Sequence, residues 1–181
     1  VRLKPRAGLT PADAPVLASV DSPPMSRLIR LTNKPSDNFF AETLLKDLAH
    51  QAGGVGTTAR GAAIATRLAR RLGARPRLVD GSGLARGNRA SPFSIVKLLT
   101  AMRSRPEADD FLASLSIAGS DGTLFDRMQR GPAHRRCIGK TGTLSNVSAL
   151  SGYCEAKSGN NYAYSILMNG VGDVYSARNI Q

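Results

Sequence analysis

Lys140-Thr141-Gly142-Thr143 sets an ammonium, two hydroxyls and a residue without a side chain in a row, at the end of a run that reads as a strand. On an exposed strand edge this quartet offers a fixed cation, two O–H donors and backbone that a ligand can approach closely. That suits a carboxylate together with a carbonyl. Ser36-Asp37-Asn38, ahead of a helix-like run, adds a hydroxyl and an amide. Together the groups suit acyl transfer, which needs a serine whose proton a nearby base removes; a substrate ending in a free carboxylate needs a cation as well. A loop between helices and a strand edge can supply opposite walls of one cleft. Each cluster alone also has a plainer reading. Asp and Asn before a helix serve as N-caps, Lys-Thr-Gly can be a strand ending at a glycine, and Asp80-Gly81-Ser82-Gly83 is by itself a turn.

The elements that must carry these clusters form one α+β domain. Residues 1 to 17 show little periodicity, and residues 16 to 20 read as a short strand. Met25, Leu28, Ile29 and Leu31 recur at helical spacing, which predicts a helix over about 24 to 33, stopped ahead of Pro35. A second helix over 39 to 51 carries Phe40, Leu44, Leu45, Leu48 and Ala49 on one stripe, so Ser36-Asp37-Asn38 falls on the loop between the two. Further helices are predicted over 58 to 72, 92 to 102, 107 to 115 and 124 to 130, with a brief strand at 77 to 80. From Arg135 the period changes. Residues 138 to 143, 147 to 155 and 162 to 168 read as an antiparallel meander, and a last helix begins at Val174.

A length of 181 residues with 41% apolar and 21% charged residues predicts a single globular domain with a real core. No apolar run approaches the roughly 18 residues that span a bilayer. Val1-Arg2-Leu3-Lys4-Pro5-Arg6 is not followed by the apolar stretch of a signal peptide, and the chain can begin inside a longer precursor. A net charge of +12 raises the question of a polyanionic partner. The arginines are scattered, with Arg67, Arg70, Arg71, Arg75 and Arg77 the densest group, and there is no Trp. No nucleic-acid module emerges; the expectation is a basic surface facing an anionic milieu such as a cell wall.

Cys137 and Cys154 are centred on Ser145 and Asn146, so a symmetric hairpin sets them opposite one another. Two readings stand: a cross-strand disulfide, which places the chain in an oxidising compartment, or two independently buried thiols. His50 and His134 lie far from any Cys-x-x-Cys spacing, so neither metal nor cofactor is expected.

With its motifs in this order the chain resembles the penicillin-binding D-alanyl-D-alanine carboxypeptidases/endopeptidases that carry extra domains inserted in the catalytic domain. Ser36-Asp37-Asn38 and Lys140-Thr141-Gly142-Thr143 carry the resemblance, as members of that signature set. So do Asp80-Gly81-Ser82-Gly83-Leu84 with Asn88-Arg89 and Ser91-Pro92, Ala118-Gly119-Ser120-Asp121-Gly122-Thr123-Leu124, and Ser148-Ala149-Leu150-Ser151-Gly152-Tyr153. The resemblance implies a fold similar to the serine β-lactamases, an antiparallel sheet packed by helices with an all-helical subdomain and the site in the cleft between. It implies a serine-type carboxypeptidase, with endopeptidase action as a further possibility, acting through an acyl-enzyme on peptidoglycan stem peptides ending in D-Ala-D-Ala. Such enzymes are blocked covalently by β-lactam antibiotics and work in the periplasm or outside the cell, at the cell wall. Carried over, Ser36 relays a proton between nucleophile and leaving amine, and Asn38 holds the acyl donor's amide carbonyl. Lys140 favours the carboxylate and tunes Ser36. Thr141, Gly142 and Thr143 form the substrate-binding edge, and the Thr143 N–H is one of two oxyanion donors.

One member of the set is missing. The family's nucleophilic serine and base lysine come from a Ser-x-x-Lys ahead of Ser-Asp-Asn, and nothing before Ser36 has that form. Only Ser94-Ile95-Val96-Lys97 fits, between the other two motifs and in a helix whose Phe93, Ile95, Val96, Leu98 and Leu99 read as core, so it is taken as coincidence. The expectation is therefore the C-terminal part of one catalytic domain, helical over about 24 to 130 and stranded over about 135 to 181. The nucleophile then lies in a missing N-terminal portion, and these residues alone form no acyl-enzyme. Two alternatives are a β-lactamase of the same fold and a non-catalytic wall-binding scaffold. The first needs a glutamate-activated water, and between Asn38 and Lys140 only Glu42 and Glu107 are available, neither in an E-x-x-L-N context.

Overall fold

Residues 7–181 are described by a computed structural model. Its frame is a four-stranded antiparallel sheet in the order β1-β2-β3-β4: Ser116–Ile117, Cys137–Leu144, Val147–Glu155 and Asn161–Asn169. Leu144 pairs with Val147, so Ser145-Asn146 is a two-residue turn, and β2 and β3 then stay in register as far as Cys137 opposite Cys154. Those two cysteines are joined by a disulfide, with Cα atoms 4.1 Å apart.

Alternation along β3 assigns the sheet its two faces. Tyr153 points to one, where its hydroxyl donates to the Leu99 carbonyl of α4 (Pro92–Met102) at 2.6 Å. Leu99, Leu115 and Tyr153 form a core there with Ile95, Phe111, Leu112 and Ile138 packed round it. Ser148 points to the other face, where its hydroxyl donates to Gln181, just past α6 (Val174–Ile180). Gly152 lies in a row with Gly139 and Tyr164; a Cβ on Gly152 would stand 2.0 Å from the Ile138 carbonyl oxygen, so only glycine lets the strands lie this close.

The remaining helices are α1 (Met25–Asn33), α2 (Asn38–Gln51), α3 (Thr58–Arg71) and α5 (Ala108–Ser114); α2 packs on α3, and α1 on α5, whose Phe111 and Leu112 join the core around Tyr153. Asp37, Thr57 and Ser91 cap α2, α3 and α4 by accepting N–H bonds with their side chains. Of the predicted stripe on α2, Leu45 and Ala49 are buried, as are Ala62 and Ala69 of α3, and the two helices lie so close that a Cβ on Gly61 would stand 2.2 Å from the Leu45 carbonyl oxygen. Phe40 and Leu48 remain partly exposed. No helix among the described residues is long and apolar enough to cross a membrane.

Three sequence expectations need correction. Residues 16 to 20 are no strand: Val16, Leu17 and Val20 run irregularly with 84%, 92% and 97% of their surface exposed, because no neighbouring strand pairs with them. Residues 77 to 80 make only one bridge, Arg77 to Arg89. The helix expected over 124 to 130 is a 3-10 turn, Gly122–Leu124, followed by irregular turns in which Met128 takes φ +56°. Leu124 is fully buried and Phe125 exposed, so the segment inserts one apolar side chain and presents no helical stripe. Strand β1 was not foreseen.

The disulfide closes a loop with a sequence separation of 17. Chain-entropy arguments give a cross-link of that span about 3 kcal/mol. Replacing Cys137 and Cys154 together by serine is expected to lower the unfolding free energy by about 2–4 kcal/mol in a denaturant titration. An unchanged midpoint would mean that the turn and sheet packing alone hold the hairpin.

Candidate active site

The Ser36-Asp37-Asn38 turn is held in an unusual shape. Ser36 has φ +61°, a left-handed conformation that costs a non-glycine residue about 1–2 kcal/mol. The backbone around it compensates: Ser36 N–H reaches the Asn33 carbonyl at 3.3 Å and Asp37 N–H the Thr32 carbonyl at 2.9 Å. Asp37 then caps α2 through Phe40 N–H, and Asn38 opens the helix with an exposed side chain. The plain N-cap role and a place in the cleft thus coexist in one tripeptide.

A clamp behind the turn keeps it there. Lys34 Nζ donates to the Leu115 carbonyl at 2.9 Å and forms an ion pair with the Asp121 carboxylate. Asp121 also accepts the Ile117 N–H at 2.7 Å, and Thr123 N–H returns to the Lys34 carbonyl at 3.1 Å. Gly122, φ +54°, makes this possible: a Cβ there would collide with Ser116 Oγ and the Lys34 carbonyl. Burial opposes ionisation of Asp121, but the bonds from Lys34 and Ile117 hold its carboxyl below the ordinary range.

The strand edge meets the turn directly. Lys140 Nζ lies 2.5 Å from Ser36 Oγ and 2.8 Å from the Thr141 carbonyl. Burial pushes the Lys140 ammonium down to about 8. Thr141 Oγ1 donates to Thr123 Oγ1 at 2.8 Å, and Thr143 Oγ1 accepts from Arg178 Nη2 at 3.3 Å. Ser36, Asn38, Lys140, Thr141, Gly142 and Thr143 all line one cleft of about 710 Å³. Gly81, Ser82, Gly83 and Leu84 line it too, so the Asp80 turn is both a structural turn and a wall of the cleft. Burial raises the Asp80 carboxyl, yet bonds from Ser82, Asn88, Ala85 and Gly83 win and hold it low.

Other candidate groups do not converge here. Ser94 is buried and its hydroxyl accepts the Arg75 N–H at 2.7 Å, whereas Lys97 is exposed over the Phe93 ring; they form no nucleophile and base pair. Glu42 spends its carboxylate on Thr58 Oγ1 and on the N–H groups of Gly81 and Ser82, and these bonds keep it ionised. It is an anchor for the Asp80 turn. No group of three or more metal-type ligands occurs among the described residues.

Sequence reasoning missed Thr123, Arg127 and Arg178 as cleft residues. Thr123 stood inside the quoted Ala118 to Leu124 stretch, but nothing local marks Arg178, which reaches Thr143 across 35 positions.

An antiparallel sheet with helices on it and two motifs facing across a cleft define the class: the penicillin-binding and β-lactamase-like fold. Penicillin binding protein 4 (dacB) from Haemophilus influenzae, in complex with a β-lactam, superimposes with a TM-score of 0.75 at 27% identity over 86% of this chain and 39% of that one. A class A β-lactamase from Bacteroides cellulosilyticus, at 18% identity and a TM-score of 0.61, shares the fold over 86% of this chain and 61% of that one. Residues 6–181 match the D-Ala-D-Ala carboxypeptidase 3 (S13) family, and the chain belongs to it. The D-alanyl-D-alanine carboxypeptidase of Actinomadura sp. (strain R39) is 39% identical over 166 residues, 87% of this chain and 31% of that protein. Carboxypeptidase DacB of Mycolicibacterium smegmatis is 31% identical over 86% of this chain and 36% of its own length. The chain therefore spans about a third of these relatives.

Proposed function

We propose that these residues are the substrate-binding and proton-relay part of a serine-type D-Ala-D-Ala carboxypeptidase. Its nucleophilic serine and base lysine lie in a segment outside the chain. Residues 1–181 would then be the C-terminal part of one penicillin-binding catalytic domain. The observation that carries the reading is the contact between Lys140 Nζ and Ser36 Oγ, which joins the two motifs across the cleft.

The geometry supports a division of labour. An ammonium donating to Ser36 Oγ occupies a lone pair there, which leaves the serine proton available for the leaving amine. As the nucleophile attacks the carbonyl of the penultimate D-Ala, the Thr143 N–H supports the oxyanion, and losing one such donor typically costs about 10²–10³ in rate. The base lysine takes the nucleophile's proton and passes it to Ser36 Oγ as Ser36 gives its own proton to the departing D-Ala nitrogen and the C–N bond breaks. Water then hydrolyses the acyl-enzyme. Asn38 would hold the acyl donor's amide, and Thr141, Gly142 and Thr143 the terminal carboxylate. The disulfide and the basic surface suit a periplasmic or extracellular enzyme at the wall.

Fluorescent penicillin and a peptide ending in D-Ala-D-Ala, each given to the full-length protein, test the proposal. Covalent label and released D-Ala are expected; their joint absence would leave a wall-binding scaffold. Slow nitrocefin turnover is expected as well, since Glu42 is committed to the Asp80 turn and cannot activate a deacylating water. Rapid turnover would make the protein a β-lactamase. A cross-linked muropeptide dimer measures any endopeptidase share.

A further inference from the structure

The cleft is lined by three cations, Arg127, Lys140 and Arg178, against a single carboxylate, Asp37, which is engaged as the cap of α2. The ion pairs among the described residues are Lys34 with Asp121 and Arg105 with Glu107, so neither cleft arginine has an acidic partner there. Arg178 is aimed rather than loose. Its guanidinium lies over the Tyr175 ring at 5.1 Å and donates to Thr143 Oγ1. Arg127 Nη2 supports the same helix end through the Arg178 carbonyl at 3.4 Å and Gln181 Oε1 at 3.0 Å. Burial and the nearby Arg178 charge both disfavour the Arg127 cation, so an anion beside the two would relieve a standing repulsion.

We propose that Arg178 is a specificity-determining residue that binds the free α-carboxylate next to the scissile amide, at the Thr143 end of the strand, and orients the Thr143 hydroxyl toward it. An N–H from Arg178 fills a lone pair of Thr143 Oγ1, so the threonine proton turns to the remaining acceptor, the incoming carboxylate. A guanidinium meets a carboxylate in a charge-assisted, often bidentate, contact that an ammonium cannot copy. Lys140 lies nearer Ser36 and serves the relay, so the two cations divide the work. This inference rests on the acyl-transfer reading above.

Two peptides separate the cases in the full-length protein, one ending in D-Ala-D-Ala and the other its C-terminal carboxamide. Arg178→Gln is expected to raise KM for the carboxylate peptide about 10- to 100-fold with little change in kcat, and to lower the carboxylate-to-carboxamide preference in kcat/KM at least about tenfold. Arg178→Lys should recover part of that preference. A merely structural role would slow both peptides alike, and an unchanged preference in Arg178→Gln overturns the assignment while leaving the carboxypeptidase reading intact. An unsubstituted protein that neither takes the penicillin label nor releases D-Ala would overturn both.

Discussion

Replacing Lys140 by alanine in the full-length protein is expected to slow acylation by fluorescent penicillin about 10²–10⁴-fold. Lys140 Nζ lies 2.5 Å from Ser36 Oγ, and on the proposed mechanism it would supply a cation facing the substrate and a donor that keeps Ser36 pointed at the leaving nitrogen. Hydrogen bonds to charged groups are worth about 1.5–3 kcal/mol each, and 1.36 kcal/mol is tenfold in rate. The same residue sets a pH dependence. Burial lowers the ammonium from 10.5 to about 8, so the cation is in the majority below that value and lost above it. The kcat/KM profile should therefore fall as pH rises through about 8, far below where an ordinary lysine titrates. The titration of Lys140 does not by itself weaken the fold. Between about 8 and 10.5 the unfolded chain keeps a proton that the folded chain has released, so this group makes the fold more stable as pH rises. Lys140→Arg, always charged, should lose the basic limb along with most of its activity, since the planar fork does not fit a site built for a point charge. A basic limb near 10.5, or labelling untouched by Lys140→Ala, would remove Lys140 from the mechanism.

Much of this arrangement was legible because its signals are local. The strands β2, β3 and β4 announce themselves by period and by the turns between them, and the caps of α2, α3 and α4 are the residues a helix start asks for. Local signals failed where a distant partner decides. Ser116–Ile117 is a strand only because Gly139 and Ile138 lie beside it and Asp121 takes the Ile117 N–H. Residues 16 to 20 have the composition of a strand and lack the neighbour. At the site, the motifs singled out Ser36 and Lys140, which do meet across 104 positions, but the left-handed Ser36, the clamp behind it and the reach of Arg178 come from tertiary contacts that no short pattern encodes.

That clamp carries a large expected effect on stability and on activity together. Asp121→Ala would leave the Lys34 ammonium, whose side chain is 14% exposed, with only the Leu115 carbonyl, and would strand the Ile117 N–H. Breaking a fully buried pair costs about 3–5 kcal/mol; because the Asp121 side chain is 32% exposed, solvent screening reduces the expectation to about 2–4 kcal/mol. The sign in acid follows from the depressed carboxyl. Its contribution is complete above the unfolded value of 3.8 and is lost as pH falls through the lower folded value, so Asp121→Ala should flatten the acid side of the stability curve. Adding Lys34→Met removes the stranded charge and should restore a good part of the lost stability, because an apolar replacement of both partners carries no desolvation cost. Catalysis should not return with it. The Lys34 backbone would still receive Thr123, but the ammonium that ties the Ser36 turn to Leu115 and Asp121 would be gone, leaving the strained φ of Ser36 free to relax. Urea midpoints of the two variants, set beside their D-Ala release rates, would show stability and activity parting in the double variant; full recovery of both would mean that the clamp supports the fold and has no part in holding Ser36 toward Lys140.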